Sequence, residues 1–106
     1  MLHPAKSKIA TKQKSDLLYK AILMLETEEE CYNFFQDLCT ISEMRSMEQR
    51  FDVAVYLQQG LVYLDILDKT GASSATISRV RRSMLDGGAG GVMQDVICRE
   101  GLADRY

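Results

Sequence analysis

Apolar residues recur at spacings of three and four along most of the chain, which is the period of an α-helix. The first periodic segment covers residues 16–25, and Ser15 stands where a helix N-cap is expected. A second covers residues 28–38, and a longer one follows Thr40 and should end at Gly60. Strand-like alternation is absent, so the sequence predicts an all-α protein. The second segment is expected to bury Cys31, Phe34, Phe35 and Leu38, and Met44 and Met47 of the third are expected to fill a core. The other apolar positions that carry the helical period are Leu17, Leu18, Ala21, Ile22, Leu25, Phe51, Ala54, Val55 and Leu57.

The second and third segments both begin with a capping-box pattern. In this pattern a threonine and a glutamate three positions later each accept a hydrogen bond from the other's backbone amide. Thr27 is followed in this way by Glu30, and Thr40 by Glu43. We therefore expect helices to start just after each threonine.

Two short helices joined by a tight turn are predicted for about residues 63–85. Gly71 suits the turn because glycine adopts left-handed backbone angles without steric cost. Ile66 would face inward from the first helix, and Ser73 or Ser74 could cap the second. This arrangement is a helix-turn-helix, whose second helix enters the major groove of DNA.

The second of these helices separates apolar from polar residues. Ile77, Val80 and Met84 form its inward face, and Arg81 should lie on the flank. Small residues at the start of such a helix let the backbone approach base edges, and arginines farther along reach guanines or phosphates. The predicted DNA-binding residues are Ser73, Ser74, Ala75, Thr76, Ser78, Arg79 and Arg82.

The formal net charge of −2 argues mildly against a nucleic-acid partner, but the distribution of charge along the chain favours one. Residues 1–14 carry four lysines and no acid, whereas residues 26–68 carry ten acids and two arginines. Three arginines then fall within residues 79–82. Positive charge concentrated in this way can hold a nucleic acid on an otherwise acidic protein.

The length of 106 residues predicts one folded domain. We assign residues 1–14 to a flexible basic arm and residues 15–106 to a single helical domain. The arm either follows DNA phosphates or is a solvated tail. Because a single core of this size is marginal, burial against a second copy of the chain would stabilise it.

Other functional classes find little support. No apolar run approaches the roughly 18 residues of a membrane span, and the start of the chain lacks a secretory signal, so a cytoplasmic protein is expected. Cys31, Cys39 and Cys98 form no C-x-x-C pair and are expected to be small buried thiols. With His3 as the only histidine, neither a metal site nor a catalytic constellation is predicted.

The glycine-rich stretch 86–91 does not change that conclusion. It lacks the lysine and serine of a phosphate-binding loop and should simply end the second helix of the motif. A last short helix is expected over residues 92–99, with Val92, Val96 and Ile97 packing back on the domain. We predict no enzymatic activity and no cofactor.

Several motifs resemble one known family. The stretch Thr70-Gly71-Ala72-Ser73-Ser74-Ala75-Thr76-Ile77-Ser78-Arg79-Val80 is similar to the signature of the YerC/YecD family of Trp-repressor-related proteins, as are residues 30–35, 37–41 and 47–50. The resemblance covers about residues 16–86. It implies a Trp-repressor-like fold, an intertwined homodimer with interlocked N-terminal helices, and a transcriptional regulator that binds a pseudo-palindromic operator in double-stranded DNA.

The resemblance also implies candidate effector-binding positions. These are Thr40, Arg50, Thr76, Arg79 and Ser83. Val80 stands where the tryptophan-binding proteins have a glycine, and its branched side chain would narrow the indole slot, which disfavours tryptophan as the effector. Arg50 has an alternative role in an ion pair with an acid such as Glu48 or Asp52. Whether any small molecule is bound stays open at this point.

One departure from the usual motif motivates a second hypothesis. Leu61, Val62, Leu64 and Leu67 are more apolar than the first helix of a helix-turn-helix usually is. Either the C-terminal segment covers them, which we favour, or they are exposed for a partner. The leading interpretation is a sequence-specific DNA-binding repressor. The alternative is a dimerisation or protein-interaction module that keeps the fold without specific DNA reading.

Overall fold

The computed structural model describes residues 14–85, 89–99 and 102. Within these ranges it contains six α-helices and no strand, so the predicted all-α class is confirmed. The helices are α1 (Asp16–Ile22), α2 (Glu28–Leu38), α3 (Ile41–Gln58), α4 (Tyr63–Thr70), α5 (Ser74–Leu85) and α6 (Ala89–Cys98). The chain divides into two compact units, with the boundary between Cys39 and Thr40. The predicted basic arm lies outside the described residues apart from Lys14.

The helices of the first unit begin near the predicted positions, but their caps differ in detail. Ser15 occupies the N-cap position of α1, yet its side chain makes no capping hydrogen bond. At α2 the Thr27 hydroxyl accepts a hydrogen bond from the Glu30 amide at 3.0 Å, as predicted. The Glu30 carboxylate accepts from the Glu26 amide at 2.8 Å instead of returning to Thr27. The threonine cap is therefore formed, and the reciprocal half of the box is displaced by one residue.

No residue of α1 or α2 is buried in the single chain. Leu38 is 56% exposed, so its predicted burial is wrong for the chain on its own, and Leu17 on the apolar stripe of α1 is 79% exposed. Phe34 and Phe35 are half-buried, with ring centroids 5.4 Å apart in an edge-to-face arrangement. Two short amphipathic helices offer one apolar stripe each, which is too little surface to enclose a core.

Helix α3 opens the second unit with a complete capping box. The Thr40 hydroxyl accepts from the Glu43 amide at 3.0 Å, and the Glu43 carboxylate accepts from the Thr40 amide at 2.8 Å. Hydrogen bonding of the Glu43 carboxylate to the Thr40 backbone amide lowers the pKa of Glu43 below its ordinary value, and the Thr40 side chain makes a smaller contribution in the same direction. The sequence pattern therefore predicted both the position and the bonding of this helix start.

The end of α3 is set by Gly60, as expected. Its φ of 86° is left-handed. The Gly60 amide donates to the Leu57 carbonyl at 3.0 Å, and the Leu61 amide donates to the Tyr56 carbonyl at 3.1 Å. This hydrogen-bond pair is the Schellman motif, in which a residue free to take left-handed angles reverses the chain and satisfies the last carbonyls.

The core of the second unit forms where α3 packs against α4, α5 and α6. Its buried members are Val53, Ala54, Val55, Ile66, Ala72, Ile77, Val80, Met84 and Ile97. Val53, Ala54 and Val55 are consecutive in α3, and all three are buried because other helices cover α3 on more than one side. Val53 was not predicted to be buried, because the prediction assumed a single apolar stripe. Two other predicted core positions, Met47 and Val92, are exposed, and Met93 packs against the core in place of Val92.

Candidate DNA-binding surface

The turn between α4 and α5 is built around Gly71. This residue has φ 70° and ψ 8°, and its amide donates to the Leu67 carbonyl at 2.8 Å. A Cβ at this position would meet no atom within 4 Å. The requirement for glycine therefore comes from the backbone conformation alone, because left-handed angles are unfavourable for residues with a Cβ.

Thr70 and Gln49 fasten this turn. The Thr70 hydroxyl donates to the Ile66 carbonyl at 2.8 Å and accepts from the Ala72 amide at 3.1 Å. The Gln49 side-chain amide donates to the Thr70 carbonyl at 3.0 Å, which ties the turn to α3. The role of Gln49 was not predicted, because no local pattern in the sequence marks a hydrogen bond between residues 21 positions apart.

Ser73, not Ser74, caps α5. Its hydroxyl accepts from the Thr76 amide at 3.1 Å and lies 3.1 Å from the Thr76 hydroxyl, to which it donates. Two of the predicted DNA-binding residues, Ser73 and Thr76, therefore have side chains engaged in the helix start, and Thr76 is half-buried. The cap fixes where α5 begins and hence which residues occupy its first exposed turn.

The remaining predicted DNA-binding residues share the exposed face of α5. Ile77, Val80 and Met84 are buried on the opposite side. The exposed members of the predicted set are Ser74, Ala75, Ser78, Arg79 and Arg82. Arg79 and Arg82 are separated by three positions, so they lie on adjacent turns of the same helix face. We call this face of α5 the reading face.

An open depression of about 550 Å³ adjoins the reading face and is lined by Arg79, Arg82, Ser83 and Leu85. Two of the predicted effector-binding residues, Arg79 and Ser83, therefore share one surface. Thr40 and Arg50 are exposed on α3 and its cap but do not line the depression, and the Thr40 hydroxyl is engaged in the capping box. Val80 is part of the buried core and does not line the depression either. The effector assignment stays a prediction.

The apolar residues around α4 fall into two groups. Leu61 and Leu67 are half-buried against the core of the second unit. Val62 and Leu64 are 62% and 68% exposed. Helix α6 packs against α3 and α5, so the described part of the C-terminal segment leaves these two side chains uncovered. The expectation that this segment covers all four residues therefore does not hold for Val62 and Leu64.

The thiols also differ from expectation. Cys31 and Cys39 are half-buried and Cys98 is exposed, and all three are free, so none is the fully buried thiol that was predicted. Among the apolar residues of α2, Phe34 and Phe35 are only half-buried and Leu38 is exposed. Among the described residues no group of three or more histidine, cysteine or acidic side chains could hold a metal ion. No helix in the same ranges has the length and hydropathy needed to cross a bilayer.

Comparison with known proteins places this geometry in a family. The family model of the Trp repressor protein matches residues 13–97, which is most of the chain. The chain belongs to the Trp repressor family. Members of this family are DNA-binding transcription regulators and not enzymes, which agrees with the exposed basic face of α5 and with the predicted lack of catalysis.

Individual members of the Trp repressor family are similar over the same region. YerC, an uncharacterized protein of Bacillus subtilis, is 54% identical over 69 residues, which cover 65% of this chain and 66% of YerC, just under two thirds of its length. A TrpR-like protein from Eubacterium eligens is 47% identical, with a TM-score of 0.79 over 87% of this chain and 96% of its own. A proposed Trp repressor from Staphylococcus aureus is 44% identical, with a TM-score of 0.79 over 86% and 92% of the two chains. The predicted resemblance to YerC and the Trp-repressor-like fold are confirmed.

Proposed function

We propose that the protein is a sequence-specific transcriptional repressor that binds double-stranded DNA and reads the major groove with α5. The observation that carries this proposal is the reading face. Small residues on the first turns of α5 are exposed together with Arg79 and Arg82, while the opposite side of the helix is buried. Because its DNA target would be chromosomal, we place the protein in the cytoplasm.

The two halves of the reading face would have different tasks. Ser74, Ala75 and Ser78 have short side chains, so the start of α5 can approach the base edges closely. Arg79 and Arg82 can donate two hydrogen bonds to a guanine or bind phosphates as charged donors. The capped N-terminus of α5 adds the positive end of a helix dipole, which attracts phosphate.

We further propose that the protein acts as a homodimer. The large apolar side chains exposed in the first unit support this proposal, because soluble proteins seldom leave such a series uncovered. These side chains are Leu17, Tyr19, Leu23, Met24, Tyr32 and Leu38. A dimer with two-fold symmetry would present two copies of α5 to two half-sites about one helical turn apart, roughly 34–36 Å.

DNA selection followed by titration tests the proposed function. Fragments bound from a random duplex pool should converge on a pseudo-palindrome, and their affinity should fall steeply as salt rises because phosphate binding releases counterions. A random duplex should bind far more weakly at the same salt. Selection that yields no common sequence, with equal affinity for random DNA, would contradict specific reading.

Tryptophan is not the effector in this proposal. Val80 is buried in the core at the position where the tryptophan-binding proteins have a glycine, and its side chain leaves less room for an indole ring. Added tryptophan should leave the affinity of the protein for its selected operator unchanged in a DNA titration. Saturable binding of tryptophan that also changes the DNA affinity would contradict this part of the proposal.

The exposed Val62 and Leu64 favour one alternative, a protein-interaction module that keeps the fold without specific DNA reading. The two functions differ in their response to duplex DNA at about 50 mM salt, where electrostatic binding is only weakly screened. An interaction module would show no DNA binding and would form assemblies larger than a dimer in gel filtration. A regulator would bind DNA as a dimer.

A further inference from the structure

A cavity distinct from the depression beside Arg79 lies in the second unit, away from the reading face. Its volume is about 430 Å³, within the range of sites for small organic molecules. The end of α3, the start of α4, α5 and α6 all contribute to its lining, which includes Leu57, Leu61, Val62, Tyr63, Arg81 and Leu85. It shares only Leu85 with the depression beside Arg79, so the two are separate surfaces.

The lining of this cavity includes one positively charged side chain. Arg81 lines it and is exposed, and no ion pair or hydrogen bond engages its guanidinium within residues 14–85 and 89–99. The first turn of α4 also borders the cavity at Val62 and Tyr63. Val62 is the N-cap of α4 and its apolar side chain cannot accept a hydrogen bond, so the first amides of this helix lack a side-chain cap. A free guanidinium and an uncapped helix start thus open onto one space.

Much of the remaining lining is apolar. Leu57, Leu61, Met84 and Leu85 belong to it. Gln58 and Gln94 also line the cavity, and the Gln94 side-chain amide donates to the Gln58 side-chain oxygen at 3.0 Å, which joins α6 to α3. An inorganic anion would use only the Arg81 guanidinium and the first amides of α4, and it would leave the apolar side chains in contact with water. A molecule with an apolar body would cover them and gain from the exclusion of water.

We propose that this cavity binds a small organic anion with an apolar body, of the aromatic or branched aliphatic carboxylate class. The carboxylate would accept hydrogen bonds from Arg81 and from the amides at the start of α4. The hydrocarbon part would lie against Leu57 and Leu61. The site differs from the effector positions implied by family resemblance, since Arg79 and Ser83 lie outside it. The proposal is independent of the DNA-binding function and is tested on the free protein.

The test is a titration of the full-length ¹⁵N-labelled protein followed by NMR. Acetate, isovalerate, benzoate and indole-3-propionate are added separately to about 10 mM, which detects dissociation constants near 1 mM. Benzoate and indole-3-propionate should produce saturable shifts of the Tyr63 and Leu64 amides and of the Arg81 Nε–H group. Acetate should produce much smaller shifts, because it has little apolar surface.

Two variants make the test specific. Arg81→Gln should weaken benzoate binding at least tenfold, whereas Arg45→Gln, which removes an exposed arginine outside the cavity, should leave it unchanged. Val62→Asp would cap α4 with its own carboxylate and place a like charge beside the ligand. This variant should have a higher Tm than the wild type and should lose benzoate binding.

Three results would overturn the proposal. The first is the absence of saturable shifts with all four carboxylates. The second is a response to acetate as strong as that to benzoate, which would show that the apolar lining contributes nothing, or an undiminished response in Arg81→Gln, which would show that Arg81 does not hold the carboxylate. The third is a change of the same signals with protein concentration and no added anion, which would assign the cavity to contacts with a second copy of the chain.

Discussion

The first unit and the second unit use the same local signals but differ in what they bury. Thr27 caps α2 and Thr40 caps α3 with matching hydrogen bonds of 3.0 Å. No residue of α1 or α2 is buried, whereas the second unit encloses a cluster that includes Val53, Ile66 and Ile97. Helix formation is therefore encoded locally in both units, but only the second encloses a buried core within one chain.

The sharpest test of this comparison is a core truncation. Ile66→Ala should destabilise the protein by about 2–5 kcal/mol, because it removes a fully buried side chain from tight packing. Leu64→Ala, two positions away on α4, should cost no more than about 0.5 kcal/mol because that side chain is mostly exposed. Urea unfolding of both variants measures the difference. Equal losses would mean that the core does not lie where the structure places it.

A second experiment asks what covers the first unit. Leu17→Glu should weaken self-association at least tenfold, about 1.4 kcal/mol, because it places a charge on an apolar surface that the proposed dimer would bury. Leu64→Glu places the same charge on a leucine of the second unit that is also mostly exposed, and it should leave the association unchanged. Sedimentation equilibrium measures both. The dimer proposal fails if wild-type protein is monomeric, or if Leu17→Glu associates as strongly as the wild type.

The two glycines on either side of α5 should respond in opposite directions to the same substitution. Gly71→Ala should destabilise by roughly 1–2 kcal/mol, because alanine is strained at a φ of 70°. Gly91 lies within α6, and a Cβ added there would meet no atom within 4 Å. Gly91→Ala should therefore stabilise the folded protein by about 0.5–1 kcal/mol, because glycine is unfavourable inside a helix. Thermal unfolding at a fixed protein concentration shows both signs. A neutral Gly71→Ala would contradict the left-handed turn.

The smallest expected effect concerns the capping box of α3 and its dependence on pH. The pKa of Glu43 is lowered in the folded protein, so its ionised form contributes stability above the ordinary pKa of a glutamate, about 4.3. This contribution is lost as the pH falls through the lower folded-state value. Glu43→Gln keeps an acceptor for the Thr40 amide but does not titrate. The stability difference between wild type and variant should therefore shrink in acid, and a difference that does not change with pH would contradict the account.

Local sequence patterns anticipated much of the fold and the exposed face of the candidate site. Capping boxes and apolar periodicity predicted the helix starts and the inward Ile77, and Gly71 predicted the turn. The apolar stripe of a helix shows which side seeks cover but not whether the same chain supplies it, which is why Leu38 and Met47 were wrongly expected to be buried.

The contacts that were missed join distant parts of the sequence. Gln49 binds the Thr70 carbonyl, and Gln94 meets Gln58 beside the cavity at Arg81. Each pair depends on the packing of two helices, so no spacing within one segment predicts it. The choice of Ser73 over Ser74 as the cap also depends on the backbone at the end of the turn, and the sequence left both open.

Double-mutant analysis of DNA binding would test the central claim most directly. With a selected operator, Arg79→Ala and Arg82→Ala should each lower the affinity by about 1–3 kcal/mol if the arginine contacts a base, or reduce the salt slope by about one if it contacts a phosphate. Arg45→Ala should change neither quantity. Unchanged affinity and salt dependence in the Arg79→Ala, Arg82→Ala double variant would show that the exposed face of α5 does not bind DNA.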